Sequence, residues 1–598
     1  MNTLSAIRPF TAPLPARAAA PQAGLANDPH EVVELTQSLV RVDSSPTNLI
    51  AGENRVADLV SQYAQQAGLQ VERFETVRGR PMVIVTLAGT KPDLPAVGFV
   101  HHSDVVGVEG EWKLGQPFSG DITTDRHGRE VLVGRGSLDT KGPAAQVLIA
   151  MKRLKEAGRA PERTMQLYLF PDEETGGREG AWYLAKNRPE LFEKVGYWVV
   201  EGAGIMSKEV LAGVGNVTRD APFLAVAQKY SVPVQMVLKQ PSDPEQAIDK
   251  TLAALKRLDK YVEDRDFTFL GDNEETGRSF DRLGNYIGGF KGWLLKNFWW
   301  TDFVENRLGP ELSATNRTDL ARTDFYLSSN PGGNLSGPNV KPSSATAVVE
   351  LELPVEDRAR AIELMTKAAG EKFQVEALEE LDNGKPELAV RVTLPQENYD
   401  GSNHGSIPDR EHDSIDVTNQ ALERMRKKLW WHGWSDKMEV VDYFTSKSVH
   451  PAEPPSHQPV ATHVTLDLRL AVDDDRETVL NDLRQAMGED FELRLIGGPE
   501  ELDAHVRRLS SQSELFGAAE EAIHETYGAD TPILFGNTTA SNDVRYLMNA
   551  NPDSQALTFV PVLFTENGAH GPDEAVTVES LSSGVDWMVR FMEKIGRE

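Results

Sequence analysis

Five residues of this 598-residue chain, His102, Asp139, Glu174, Glu201 and His570, stand where apolar runs give way to loops, and their placement limits the fold more than any other feature. The run Ala96 to Val100 reads as a buried strand that delivers His102 and, two residues on, Asp104 to one face at its carboxyl end. Asp139 lies in Gly-Arg-Gly-Ser-Leu-Asp-Thr-Lys-Gly-Pro, just ahead of 143–157, where Val147, Met151 and Leu154 recur at helical spacing. Glu174 belongs to Asp172-Glu173-Glu174-Thr175-Gly176-Gly177, after the strand-like Thr164 to Phe170, and Glu201 directly follows Tyr197 to Val200. His570, in Thr-Glu-Asn-Gly-Ala-His-Gly-Pro-Asp-Glu, comes after the apolar run Leu557 to Phe564. Strands alternating with helices give an α/β sheet, and such sheets keep their chemistry at the carboxyl ends of the strands. Five chain segments are therefore expected to meet on one rim.

Imidazole and carboxylate donors without any thiolate suit Zn²⁺, Co²⁺ or Mn²⁺. Two such ions, about 3.5 to 4 Å apart, need one carboxylate between them, and Asp139 is the expected bridge. A pair of this kind acidifies water and polarises a carbonyl, which leaves one residue to accept the proton and hand it on. Glu173, beside a ligand but pointing differently, fits that task. Asp104 is placed to accept from the ring nitrogen of His102 that a metal does not use. Each fragment alone has a plainer explanation. Asp172 to Glu174 can cap a helix N-terminus, and His-x-Asp can be structural. The loop Gly134 to Gly142 lacks the Gly-Lys-Ser/Thr of a phosphate cradle. The ordered combination carries the reading.

These motifs together resemble the co-catalytic zinc exopeptidases, the family of carboxypeptidase G, carboxypeptidase S, peptidase V, aminoacylases and succinyl-diaminopimelate desuccinylase. The family order of His-x-Asp, Gly-Arg-Gly-x-x-Asp-x-Lys-Gly, Asp-Glu-Glu-x-Gly, an acidic ligand and a late Gly-x-x-His is present from about Asp28 onward. The resemblance implies that Asp139, Glu174 and His570 hold one metal and His102, Asp139 and Glu201 the other, with Glu173 as general base. It also implies a cis peptide after Asp139. Thr140 departs from the acidic residue or methionine of many relatives, with no loss of metal expected.

A chain of this length exceeds one core, so at least two domains are expected. The net charge of -29 argues against nucleic acid or an acidic membrane as partner, because phosphate contacts need clustered Lys and Arg. The absence of Cys excludes disulfides, thiolate catalysis and zinc-thiolate sites. No apolar stretch is long enough to span a bilayer. Residues 1–24 are rich in Ala and Pro but lack an apolar core of about 7 residues, so a disordered leader is expected rather than an export signal. The expected location is cytoplasmic, with periplasmic export as the alternative.

Between Glu201 and His570 the chain contains an internal repeat. Asn339-Val340-Lys341-Pro342, the alternating Ala345 to Leu353 and a helical run parallel Gln458-Pro459-Val460, Thr462 to Leu470 and another helical run. Upstream, Pro241 to Ile248 parallels His404 to Pro408 and the helix from about Asp413 to Lys428. The repeat predicts two tandem copies of a lid, about 218–375 and 386–495. In the resembling family a single lid dimerises, and a His in His-x-Ser-x-Pro reaches the neighbouring site to stabilise the oxyanion; here that residue is His404, in the second copy alone. The family's substrate-binding Asn and Arg match Asn339 in the first copy and Arg469 in the second, where an edge-strand charge is the alternative. Peptidase V resembles this arrangement, so a functional monomer is expected.

The expected architecture is a leader (1–24), an α/β catalytic domain split into 25–217 and 496–598, and an inserted, duplicated α+β lid (218–385 with an insertion, then 386–495). Trp293, Phe298, Trp299 and Trp300, in the insertion, are candidates to line a substrate pocket or simply core. Thr538 to Asp543 looks like the family's small-residue loop near the substrate carboxylate, or a helix cap. The resemblance implies hydrolysis of a peptide bond next to a free carboxylate. The doubled lid favours a dipeptidase, whereas Glu201 favours a carboxypeptidase or an N-acyl amino-acid deacylase. A non-catalytic binding protein on the same fold is the alternative of a different class.

Overall fold

The computed structural model describes residues 29–108, 110–213, 217–263, 273–298, 319–328, 342, 344–378, 387–395, 413–435, 438–445, 459–471, 474–496, 506–565 and 568–597. The chain opens with helices α1 (Pro29–Val40) and α2 (Leu49–Gln66) and strands β1 (Gln70–Glu75), β2 (Pro81–Leu87) and β3 (Ala96–His102). There follow β4 (Ile122–Thr124), β5 (Glu130–Val133), α3 (Gly142–Glu156), β6 (Met165–Phe170), α4 (Ala181–Asn187), β7 (Val195–Val200), β8 (Ile205–Met206) and β9 (Ala221–Gln228). The same domain resumes near the end with α11 (Glu514–Tyr527), β18 (Leu534–Thr538), α12 (Val544–Leu547), β19 (Gln555–Thr558), β20 (Leu563–Phe564), β21 (Ala575–Thr577) and α13 (Val578–Ile595). Both ends of the chain thus build one sheet, in the order β1-β2-β6-β3-β7-β19-β9-β8-β20 with β18 on β9. The α/β class expected from the sequence is the class observed.

The apolar runs explain the centre of that sheet. Every residue of β3 is buried, because neighbours β6 and β7 run parallel to it and helices cover both faces. One face packs Val97, Phe99 and Leu167 under α1, α3, α11 and α13; the other packs Val100, Tyr168 and Trp198 under α4 and α12. Gly98 is needed here, since a Cβ would lie 2.4 Å from the Trp198 ring. The apolar run 557–564 is not one strand. It divides into the end of β19 and β20, and the turn between them packs Phe559, Val560 and Val562 into the core.

The inserted region, the expected lid, holds β10 (Tyr230–Leu238), α5 (Pro244–Glu263), α6 (Asn273–Ile287), α7 (Gly289–Phe298), β11 (Asp319–Ser328), β12 (Ala345–Glu352), α8 (Val355–Ala369) and β13 (Gln374–Ala377). It continues through β14 (Glu387–Leu394), α9 (Ser414–Trp430), β15 (Met438–Thr445), β16 (Ala461–Leu470), α10 (Arg476–Met487) and β17 (Phe491–Leu495). Apart from α6 and α7, this is a β-α-β-β-α-β run stated twice. The sheets do not follow the tandem copies. One has the order β11-β16-β10-β17 and the other β13-β14-β12-β15, so each takes a β-α-β half from each copy. Tandem copies as separate spatial units are therefore corrected to two sheets that exchange halves. Both halves present equivalent apolar faces, and their side chains fuse into a single core that includes Val234, Val349, Val390, Tyr443 and Leu466.

Helices α6 and α7, inserted after α5, pack on the catalytic sheet rather than on the lid. Phe280, Leu283 and Leu295 meet Ala221 and Leu534, and Ser279 Oγ donates to the Phe535 carbonyl over 2.6 Å. The two helices cross at glycines: a Cβ on Gly292 would lie 2.2 Å from the Gly284 carbonyl oxygen.

Candidate metal centre

Parallel pairing decides which side chains meet. His102 lies opposite Phe170 and Val100 opposite Val200, so the segments leaving β3, β6 and β7 emerge side by side. Glu201 is the first residue beyond β7, and Asp172 to Glu174 follow β6 after one proline. Asp139 comes from a tight turn at Ser137–Lys141 that leads into α3, and the Asp139–Thr140 peptide is cis. His570 and Asp172 both have left-handed backbones, at φ 69° and 72°, a conformation that concentrates at functional sites because the surroundings must enforce it.

Four of the five predicted ligands are in direct mutual contact. Asp139 presents Oδ1 to His102 Nε2 at 3.0 Å and Oδ2 to His570 Nε2 at 3.3 Å, and Glu174 Oε2 lies 3.1 Å from His570 Nε2. His102, Asp139 and Glu174 each offer one ligand atom, all within 4.8 Å of one another. Glu201 is buried beside them, its Oε2 without a hydrogen-bond partner among the described residues. The field at the site is strongly acidic. Burial pushes Glu201 up to about 8 and Asp104 up to about 8, and it raises Glu173 well above the carboxylate range, with Asp543, Glu174 and Glu201 adding to that and His102 opposing it. Burial opposes charge on His570, yet Glu174 and Asp139 lift it to about 9. Imidazole nitrogens and carboxylates packed this closely, one carboxylate facing two histidines, are a donor set that fits divalent cations.

The expected role of Asp104 is corrected. His102 Nδ1 donates to the Asp104 main-chain carbonyl at 2.9 Å, while the Asp104 carboxylate stands off at 3.7 Å. The carboxylate accepts instead from the backbone N–H groups of Glu173 and Glu174, at 3.2 and 3.1 Å, and so sets the turn that carries both. The tautomer requirement is still met, since a carbonyl can only accept and Nε2 is left to face Asp139.

Several supporting residues went unremarked in the sequence. Buried Arg80 joins Glu53 (2.5 and 3.0 Å) to Asp172 (2.6 Å), which fixes the start of the Glu173 turn. Glu574 accepts from Arg135 at 2.5 Å and from the backbone of Gly136, Leu138 and Asp139, tying the His570 loop to the Asp139 turn. Arg135 and Glu574 stood inside the quoted motifs; Arg80 gave no local signal. Asn542 Nδ2 donates to the Glu201 carbonyl at 2.8 Å, and Thr538 Oγ1 to that of Gly202 at 2.9 Å. The 538–543 loop is thus wired to a ligand rather than serving only as a helix cap. Its Asp543 is buried, with both carboxylate oxygens unpaired among the described residues.

Arg469 is buried on β16, between β10 and β11, and is no edge-strand charge. Its Nε donates to Asp467 at 2.7 Å and its Nη1 to the Thr539 carbonyl at 3.4 Å, so a lid side chain touches the loop that braces Glu201. Asn339 and His404 lie outside the described residues, as do Trp299 and Trp300. Trp293 is 50 % exposed and Phe298 39 % exposed, so these two do not belong to the core.

The profile described as peptidase family M20/M25/M40 matches residues 98–594. Aminoacylase-1 of Mus musculus is 36% identical over 132 residues, which cover 22% of this chain and 31% of that protein. An N-fatty-acyl-amino acid synthase/hydrolase of Danio rerio is 28% identical over 292 residues, covering 47% of this chain and 52% of its own. The chain spans about a third to a half of the length of these curated relatives. Among solved structures, an M20 family metallo-carboxypeptidase of Sulfolobus solfataricus superposes with a TM-score of 0.53 at 15% identity, over 95% of this chain and 99% of that one. A di-peptidase of Saccharomyces cerevisiae does so with a TM-score of 0.54 at 11% identity, over 96% and 99%. At such identities the likeness is one of fold.

Proposed function

The chain belongs to peptidase family M20/M25/M40, and from that membership we propose that it is a metal-dependent hydrolase of an amide bond whose nitrogen comes from an amino acid with a free carboxylate. The observation that carries the reading is Asp139, with one carboxylate oxygen toward His102 and the other toward His570. In this reading His102, Asp139 and Glu201 hold one divalent cation and Asp139, Glu174 and His570 a second. When bound, the cations, zinc by preference with cobalt or manganese suiting the same donors, polarise the scissile carbonyl and acidify the attacking water. Glu173 takes the proton from that water and returns it to the leaving nitrogen, a cycle favoured by the raised proton affinity that burial gives its carboxylate. Arg80, through Asp172, and Asp104, through two backbone N–H groups, hold the Glu173 turn in register.

When the acyl side is an aminoacyl group, the enzyme is an exopeptidase, either a dipeptidase or a carboxypeptidase. When it is a simple acyl group, the enzyme is an N-acyl amino-acid deacylase, and the matches to aminoacylase-1 and to an N-fatty-acyl-amino acid synthase/hydrolase favour this second reading. A panel of dipeptides and N-acyl amino acids, assayed with metal-replete protein, separates the two. Glu173→Gln is expected to keep metal and lower kcat by roughly 10²-fold or more. Near parental turnover would remove the base assignment. Asp139→Ala is expected to lose metal, since one change removes a donor from both cations; two equivalents per chain by elemental analysis would remove the bridge.

A further inference from the structure

We propose that this protein docks reversibly on an anionic lipid bilayer through the tryptophan-bearing carboxyl end of α9, aided by the exposed aromatic residues of α7. The chain carries 91 acidic residues, yet 287–300 and 424–435 contain none, and these two segments hold six of its ten tryptophans. Whole-chain charge therefore does not describe them.

The last turn of α9 presents Lys427 and Lys428, both exposed, followed by Trp430, 62 % exposed, and Trp431, 77 % exposed. The two indole rings lie 4.9 Å apart at 80°. The inner side of the helix is already satisfied, with Leu422, Met425 and Leu429 in the lid core, so packing does not call for the indoles. A helix C-terminus attracts lysines through its dipole, but it gives no reason for two adjacent indoles in water. Arg424 is engaged with the carbonyls of Ala368 and Ala369, and Arg426 with Asp249. Lys427 and Lys428 make no ion pair among the described residues and supply the open charge of the patch. On α7, Phe290 is 74 % exposed and stacks on Trp293 at 5.9 Å, while Leu295 on the other side is buried against the catalytic domain.

An indole has an apolar body and a polar N–H, which suits the headgroup layer of a bilayer, and lysines beside it meet anionic headgroups while their stems lie along the surface. Peripheral attachment generally needs two signals, and the α9 end supplies apolar indoles and open lysine charge together. No described helix is long and apolar enough to cross the membrane. The remaining acidic surface is repelled by the same bilayer, so contact is confined to these ends.

The test sediments the full-length protein with phosphatidylcholine vesicles and with vesicles in which about a third of the lipid is phosphatidylglycerol. Association with the anionic vesicles is expected, and the double change Lys427→Gln and Lys428→Gln should lower it by roughly tenfold or more. Trp430→Ser with Trp431→Ser should do the same, and Phe290→Ser with Trp293→Ser should act independently. All three pairs should leave circular dichroism and hydrolysis of a soluble substrate unchanged. No association, equal association with both vesicle types, or association indifferent to these changes overturns the proposal. So does self-association in sedimentation velocity that vanishes with the Trp430 and Trp431 changes, which would make the patch a contact between copies of the chain.

Discussion

The two sheets of the lid share a strand order and a core, yet they meet the rest of the molecule differently. The β11-β16-β10-β17 sheet is anchored. Strand β9 runs into β10 through Lys229, whose N–H donates to the Thr538 carbonyl at 3.0 Å, and Arg469 on β16 reaches Thr539. The β13-β14-β12-β15 sheet is carried by the first. Tyr443 packs on Phe325 with ring centroids 4.6 Å apart, Arg426 pairs with Asp249 at 3.4 Å, and Arg322 on β11 joins Asp259 of α5 to Asp416 of α9. Doubling a module has thus not doubled its role. One sheet serves attachment, and the other is joined to the enzyme through it. The exchange of halves sharpens this division. Strand β12 pairs with β14 in the carried sheet, whereas Arg469 belongs to the anchored one.

The comparison breaks most severely at Arg322. Arg322→Met leaves two carboxylates facing each other across the joined halves, and loss of one partner of a buried ionic cluster costs about 3 to 5 kcal/mol. Chemical denaturation is expected to show it as a shifted midpoint, and hydrogen exchange should rise in both sheets together. Exchange rising in the carried sheet alone would mean that the two do not form one unit. His404→Ala is expected to lower kcat by about 10² to 10³, the scale of one oxyanion donor. If the histidine acts within its own chain, mixing His404→Ala and Glu173→Gln proteins under exchange conditions should restore no activity. Recovery well above either variant would assign it to a subunit interface. Arg469→Met should retain metal and lower kcat/KM by about tenfold through the Thr539 contact, a scale set by one hydrogen bond to a charged group. An unchanged kcat/KM would make the anchored sheet a passive support. The smallest effect belongs to the exposed Lys256–Glu423 pair between the sheets, where Lys256→Ala should change stability by no more than about 0.5 kcal/mol. A larger loss would show that surface charge, not the shared core, joins the halves.

The meeting of the candidate ligands His102, Glu174 and Glu201 was legible because each follows an apolar run, and parallel pairing of such runs leaves their ends adjacent whatever else the chain does. His102, Glu174 and Glu201 needed only that β3, β6 and β7 be neighbours. The repeat was legible for the same reason, as a pattern of alternation. Its spatial partition was not, because alternation states which face of a strand is buried and says nothing about which of two equivalent halves lies beside it. Arg80 was invisible, since its meaning depends on Glu53 and Asp172, 27 residues before and 92 after it. The carboxylate of Asp104 was assigned to the right region and the wrong partner, because backbone N–H groups leave no mark in a sequence. The aromatic residues of α7 were read as pocket lining or core, and their exposure was not legible because composition gives apolarity without direction.

The exchange of lid halves also bears on how the chain is made. Tyr230 pairs with Leu470 and Leu238 with Phe491, so β10 is synthesised some 240 residues before its neighbours. At roughly 5 to 20 residues per second, that strand waits on the ribosome for about ten to fifty seconds with both edges bare. Strands β12 to β15 have all left the ribosome sooner, and their sheet has its complete set of strands first. Of the two lid sheets, the one that holds the lid to the enzyme is the later to close, and its first strands are a part of the nascent chain that a holdase would have to cover.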